Sequence, residues 1–183
     1  MTIAHQDDKY NPSYVENLMA YTKNAKRPLI FFTDYAEIRD GNIVESNKLL
    51  RIKRIMLFIL RPKSMWGSRF ARRRVLSMGS PICCPSITYY KPNLMEPVFL
   101  NGFRSNEDWE AEERISQLDG EFIFCNKILT YHRIHEDSET SKIIHDSKRS
   151  EEDYAMYRKF WSSGIARILT KLYSSSEKSN NIK

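Results

Sequence analysis

An α/β domain, a mixed sheet flanked by helices and closed by a long C-terminal helix, is predicted from three features of the sequence. A helical pattern from Asn11 is followed by the continuous apolar run Leu29 to Phe32, giving a β-α-β opening. Short apolar segments bounded by turn residues recur through the middle of the chain. From Arg149 to Tyr173 the apolar residues Tyr154, Tyr157, Trp161, Ile165, Ile168 and Leu172 keep a three-to-four spacing, as one long helix requires despite Gly164.

In chain order, Thr2 to Ala4 read as a strand end, and Asn11 with Pro12 as the cap and first turn of a helix that presents Tyr14, Val15, Leu18 and Met19. Leu29 to Phe32 have the composition of a strand buried on both faces. Arg39, Asp40, Gly41 and Asn42 supply turn chemistry for a hairpin. Leu49 to Leu60 fit a helix with a wide apolar face, interrupted at Pro62. Gly79 to Tyr90 read as a loop and a short strand at Ile87 to Tyr90. Ser105 with Asp108 has capping-box spacing and predicts a helix to about Leu118, ended by Gly120. Phe122 to Phe124 and Ile128 to Tyr131 are expected as two further strands. Residues 1–173 are expected to form one domain, with 174–183, rich in Ser, Lys and Asn, as a disordered tail.

A chain of 183 residues is one domain's worth, and a formal charge of +6 favours anionic partners. Three cysteines, two adjacent, build neither a disulfide framework nor a zinc finger, so a reducing cytoplasm is expected. No secretory signal is visible, and the longest apolar run, Ile55 to Leu60, is too short to span a bilayer. Between Lys48 and Arg74 stand ten Lys or Arg and no acid. That segment suits either peripheral contact with anionic lipid, at the inner face of a membrane, or a solvated basic face over a core helix. Nucleic acid is not the expected partner, because the cations cluster in one segment and leave the acidic and histidine motifs unexplained.

Those motifs are His5 to Asp8, Asp34 with Glu37, Glu107 with Asp108, and His132 to His135. In order and spacing, "AHQDDKYNP", "FFTDYAEIRDG", "GSPICCPSITYYK", "NEDWEAEERIS" and "YHRIHEDSET" resemble the family 2 glycosyltransferases of the GT-A (Rossmann-like) fold, over roughly residues 3 to 145. The resemblance implies an inverting transferase of polysaccharide biosynthesis that moves a sugar from a nucleotide-sugar donor to a glycan or lipid-linked acceptor. By the same likeness Asp7 and Asp8 match the family's acidic metal signature, with His5 where many members have the first Asp, so that Mn²⁺ or Mg²⁺ would be held by His5, Asp7, Asp8 and His135. Imidazole suits Mn²⁺ better than Mg²⁺. Asp108, with Glu107 beside it, matches the catalytic base, and Asp7, Arg133 and His135 the donor diphosphate site.

Each residue also has a plainer reading. Asp8 and Asn11 could cap a helix, Asp108 could complete a capping box, and Trp109 could pack or form an acceptor platform. Strand alternation puts Arg133 and His135 on one face and His132 on the other, as a structural histidine. Asp34 reads as a solvated turn residue or a contact with sugar or metal, Cys83 and Cys84 as core, and His145 has no support. The family's nucleotide-binding strands precede the acidic signature, so the resemblance implies a catalytic half truncated at its N-terminus. Either the chain is a truncated fragment, or a separate polypeptide supplies the first half; the exposed sheet edge would promote association, including with a second copy, and an inactive scaffold is the alternative.

Overall fold

β2, Pro28–Arg39, is the spine of the molecule: it is the strand to which β3, β4 and β5 all pair. The computed structural model describes residues 1–134 and 147–180. β1 (Lys9–Tyr10) and α1 (Tyr14–Thr22) lead into β2, and β3 (Asn42–Val44) returns antiparallel along its C-terminal end. The hairpin is made by Asp40 and Gly41, with φ of 49° and 80°, the left-handed pair that suits a tight two-residue turn. α2 (Lys48–Met56), α3 (Arg69–Leu76), β4 (Ile87–Tyr89), α4 (Glu107–Ser116), β5 (Glu121–Ile134), α5 (Ser147–Arg158) and α6 (Ser163–Asn180) complete the order.

The sheet is mixed, in the order β1-β5-β2-β3, with β4 antiparallel on the N-terminal half of β2. β2 and β5 run parallel from Pro28 and Glu121 to Arg39 and Ile134. Their side chains alternate between two cores, as period-two geometry demands. Ile30, Phe32, Phe122 and Phe124 face a large cluster with residues of α3, α4, α5 and α6, while Phe31, Ile123 and Cys125 face a smaller one with Tyr14 and Trp66.

Several expectations need correction. Thr2 forms only an isolated bridge to Thr88. The strand expected at Leu29 to Phe32 is 12 residues long. The two strands expected after Gly120 are one, β5, whose register against β2 slips twice around Asp34. The exposed Asn126 and Lys127 sit at this irregularity and imitate a turn. The basic helix gives way at Leu57, before Pro62, to a 3-10 segment Leu57–Leu60.

The C-terminal helix is two helices. The first ends at Arg158, and Trp161 follows with its indole N–H donating to the Ser77 carbonyl at 2.7 Å and its own carbonyl accepting from Arg158 at 2.8 Å. Helix α6 then runs past Ser174 to Asn180. Among the described residues no helix is long and apolar enough to cross a membrane.

Candidate functional site

Pairing of β1 with β5 sets one end of the site. Lys9 lies opposite Tyr131 and Tyr10 opposite Thr130, which brings the preceding Asp8 to His132 and Arg133. Asp8 Oδ1 accepts the backbone N–H of Arg133 at 2.9 Å and lies 2.9 Å from His132 Nδ1. His5 Nδ1 is 3.5 Å from Asp8 Oδ2. The Asp8 side chain is fully buried, and Oδ2 makes no hydrogen bond among the described residues. His5, Asp8 and His132 offer one nitrogen or oxygen each, all within 4.8 Å of one another, a group that could hold a metal ion.

His132 is thus on the Asp8 side, against the expectation from strand alternation. The approach of Asp8 across the strand edge decides it, since one oxygen reaches both the side chain of His132 and the main chain of Arg133. The Arg133 guanidinium donates through Nε to the Asp7 carbonyl at 3.2 Å. Asp7 itself is half-buried beside this group. His135 and His145 lie outside the described residues.

The N-terminus of α4 forms the other end. Ser105 does not cap it: the N-cap is Asn106, which makes no side-chain cap hydrogen bond. Instead the Glu152 carboxylate of α5 accepts the N–H groups of Arg104, Ser105 and Asn106 at 2.8, 2.8 and 3.2 Å. The Asn106 amide donates to Asp153 at 2.8 Å. A helix start carries unsatisfied donors, and here a distant carboxylate takes neighbouring ones where a local Ser was expected.

Asp108 Oδ1 accepts the Trp109 N–H at 2.8 Å. Burial nevertheless raises the Asp108 pKa, outweighing that hydrogen bond and the positive fields of Lys53 and Arg149. Glu107 is exposed on the first turn. Trp109 is wholly buried, its indole donating to the Leu76 carbonyl at 3.0 Å and meeting Tyr157 edge to face, so it packs and offers no platform.

One turn beyond Asp108 lies Glu112, absent from the sequence expectations. It is completely buried, and neither carboxylate oxygen has a hydrogen-bond partner among the described residues. Burial, then the neighbouring Asp108, holds its pKa well above the usual carboxylate range, against the pull of Lys53. Glu112 therefore favours the neutral acid. The i, i+4 spacing was visible in sequence, but nothing distinguished Glu112 from Glu110 and Glu113. Lys53 was equally hidden as one cation in a basic run. It sits on α2 with its ammonium 5.3 Å from the Tyr35 ring centroid. Burial pushes the Tyr35 hydroxyl up to about 12, with Lys53 opposing.

Cys83 and Cys84 feel the field of both ends. Burial drives both thiols up, and the carboxylates of Asp8 and Asp108 each add to the rise on both. Two acids a hundred residues apart in sequence therefore act on one dipeptide. Tyr10 donates its hydroxyl to the Pro85 carbonyl at 2.6 Å, and its pKa is pushed up to about 12 by burial, Tyr14 and Asp8. Tyr89 is raised by burial and then by Glu112, Cys84 and Asp108. With such pKa values the thiols are packing groups, not nucleophiles.

Asp34 is no turn residue: it lies within β2 and pairs with Arg54 of α2 at 2.6 Å. The hairpin's Glu37 is buried and pairs with Arg39 at 2.7 Å. No protein-family model matches this sequence, and no curated protein matches it.

Proposed function

We propose that this chain carries the catalytic centre of an inverting, metal-dependent, GT-A-like glycosyltransferase that moves a sugar from a nucleotide-sugar donor to a glycan or lipid-linked acceptor. The observation that carries the reading is the group of His5, Asp8 and His132, whose ligand atoms all lie within 4.8 Å of one another around a buried carboxylate.

His5, Asp8 and His132 would hold the cation, and Asp7 and Arg133 stand beside them for the diphosphate. Two imidazole nitrogens and one carboxylate, whose Oδ2 makes no hydrogen bond among the described residues, suit Mn²⁺. Mg²⁺ prefers an all-oxygen shell, so it suits this set less well. When bound, the cation supplies charge neutralisation for the departing diphosphate.

Asp108 takes the proton of the acceptor hydroxyl as that oxygen bonds to the anomeric carbon and the bond from this carbon to the diphosphate oxygen breaks. Attack opposite the leaving group inverts the centre. Burial suits Asp108 to the task, because a base with a raised pKa holds the proton it accepts more firmly. Glu112, kept neutral, adds no second negative charge that would compete for that proton.

A non-catalytic, scaffold-like reading is favoured by one observation: Asp8 Oδ1 is already satisfied by His132 and the Arg133 N–H. A Mn²⁺-supplemented transfer and hydrolysis screen over nucleotide-sugar donors separates the two. The catalytic reading expects turnover that falls by about 10²- to 10⁴-fold in Asp108→Asn. Turnover indifferent to Asp108→Asn overturns Asp108 as the base, and no turnover with any donor supports the scaffold.

A further inference from the structure

The basic segment leaves its most unusual surface unexplained by that chemistry. Some of its cations are consumed internally: Arg72 is buried on the Leu118 and Gly120 carbonyls, Arg54 pairs with Asp34 and Arg73 with Glu113. Lys48, Arg51, Arg61, Lys63 and Arg74 are exposed and pair with no carboxylate among the described residues.

Between these cations the chain turns apolar side chains outward. Phe70, Ile55 and Phe58 are 74%, 73% and 65% exposed, and Met78 joins them. Ile55, Met56, Phe58, Ile59, Arg74, Val75 and Met78 line an open groove of about 260 Å³ between the α2 segment and α3. Phe70 stands one turn before Arg74 on α3, so Phe70 and Arg74 share a face of that helix. Arg61 lies over the Phe58 ring at 5.4 Å, its stem on the apolar surface and its charge at the edge.

We propose that this ridge docks the protein on an anionic lipid bilayer. Phe58, Ile55 and Phe70 enter the headgroup and acyl boundary, while Arg61 and Arg74 meet lipid phosphates. Charge complementarity selects this occupant. A second copy placed face to face would set cations against cations, which opposes association. Nucleic acid would satisfy the cations and leave the aliphatic and phenyl groups without apolar cover. The inference is independent of the catalytic reading, and an Asp108→Asn protein is expected to dock unchanged.

The test is co-sedimentation of the full chain with phosphatidylcholine vesicles, with and without phosphatidylglycerol, at low and high salt. Binding is expected only to the mixed vesicles and is expected to weaken with salt. Phe58→Ser with Phe70→Ser should lower the affinity by about tenfold or more, from the apolar area no longer inserted. Arg61→Glu with Arg74→Glu should lower it by at least about fivefold per residue changed. All of these substituted side chains are exposed, and matching thermal melts verify the fold. Absence of binding to mixed vesicles, or equal binding to neutral ones, overturns the proposal. So does loss on charge reversal while the double Phe variant binds normally, which would assign the surface to a purely electrostatic partner such as nucleic acid or an acidic protein.

Discussion

Beside His132 and on α4, acidic side chains lie inside with oxygens that make no hydrogen bond among the described residues, whereas along α2 and α3 large apolar groups lie outside beside cations without carboxylate partners. Asp8 and Glu112 are buried acids. Phe58 and Phe70 are bare aromatics. Both arrangements cost stability relative to the reverse placement, since a buried carboxylate forfeits hydration and an exposed phenyl ring forfeits burial. A fold that keeps both kinds of misplaced residue marks its working surfaces by them, and the difference suggests their partners: small, anionic and metal-bound at one, broad and lipidic at the other.

The sharpest break of this contrast lies in Trp109, which belongs to the core behind the buried acids. Trp109→Ala should cost about 3–5 kcal/mol, read from denaturant unfolding, because a fully buried ring and its hydrogen bond to Leu76 are lost. An effect below 1 kcal/mol, on the order of a surface change, would mean that this core is not packed as described.

Glu112→Gln is the next test, and its sign depends on pH. An unfolded Glu loses its proton near 4.5, while the folded carboxyl keeps it to higher pH. Between those values the folded state holds the extra proton, so stability attributable to this group falls as pH rises through that window. The amide cannot ionise. The variant should therefore match the wild type at low pH and gain on it towards neutrality, seen as diverging urea midpoints. A parallel pair of curves would mean that Glu112 is charged in the fold.

The smallest effect is expected at the other region. Phe70→Ser should change unfolding free energy by no more than about 0.5 kcal/mol, because its side chain has little burial to lose. A larger loss would show that Phe70 serves the core after all.

Local chemistry made part of this legible in advance. The β2–β3 hairpin follows from Asp40 and Gly41, and α1 from the turn residues ahead of Tyr14, where Asn11 Oδ1 accepts the Ser13 N–H at 3.0 Å. The strand character of Leu29 to Phe32 and Phe122 to Phe124 is legible for the same reason, since a short apolar run carries it.

What was not legible depends on distant partners. Ser105 carries the cap signal, yet its own N–H and those of Arg104 and Asn106 are held by Glu152, far along the chain. The helical pattern is interrupted after Arg158, where Trp161 is tied to the distant Ser77 carbonyl. His132 would face away from a flat strand's functional side, but β1 brings Asp8 to the strand edge. The role of Glu112 requires knowing which acid of α4 faces the core, and all of its neighbours in sequence are plausible alternatives.

The central claim is that the group at Asp8 binds a cation while Asp108, within electrostatic reach of the same cysteine pair, handles a proton. Mn²⁺ titration followed by the loss of the free-ion paramagnetic resonance signal tests it directly on the wild type, Asp8→Asn, His132→Ala and Asp108→Asn. Saturable binding should weaken by at least about tenfold in the first two variants, because each loses a direct ligand, and stay within about twofold of wild type in Asp108→Asn. Binding that is absent in the wild type, or equal in all four proteins, would contradict the account.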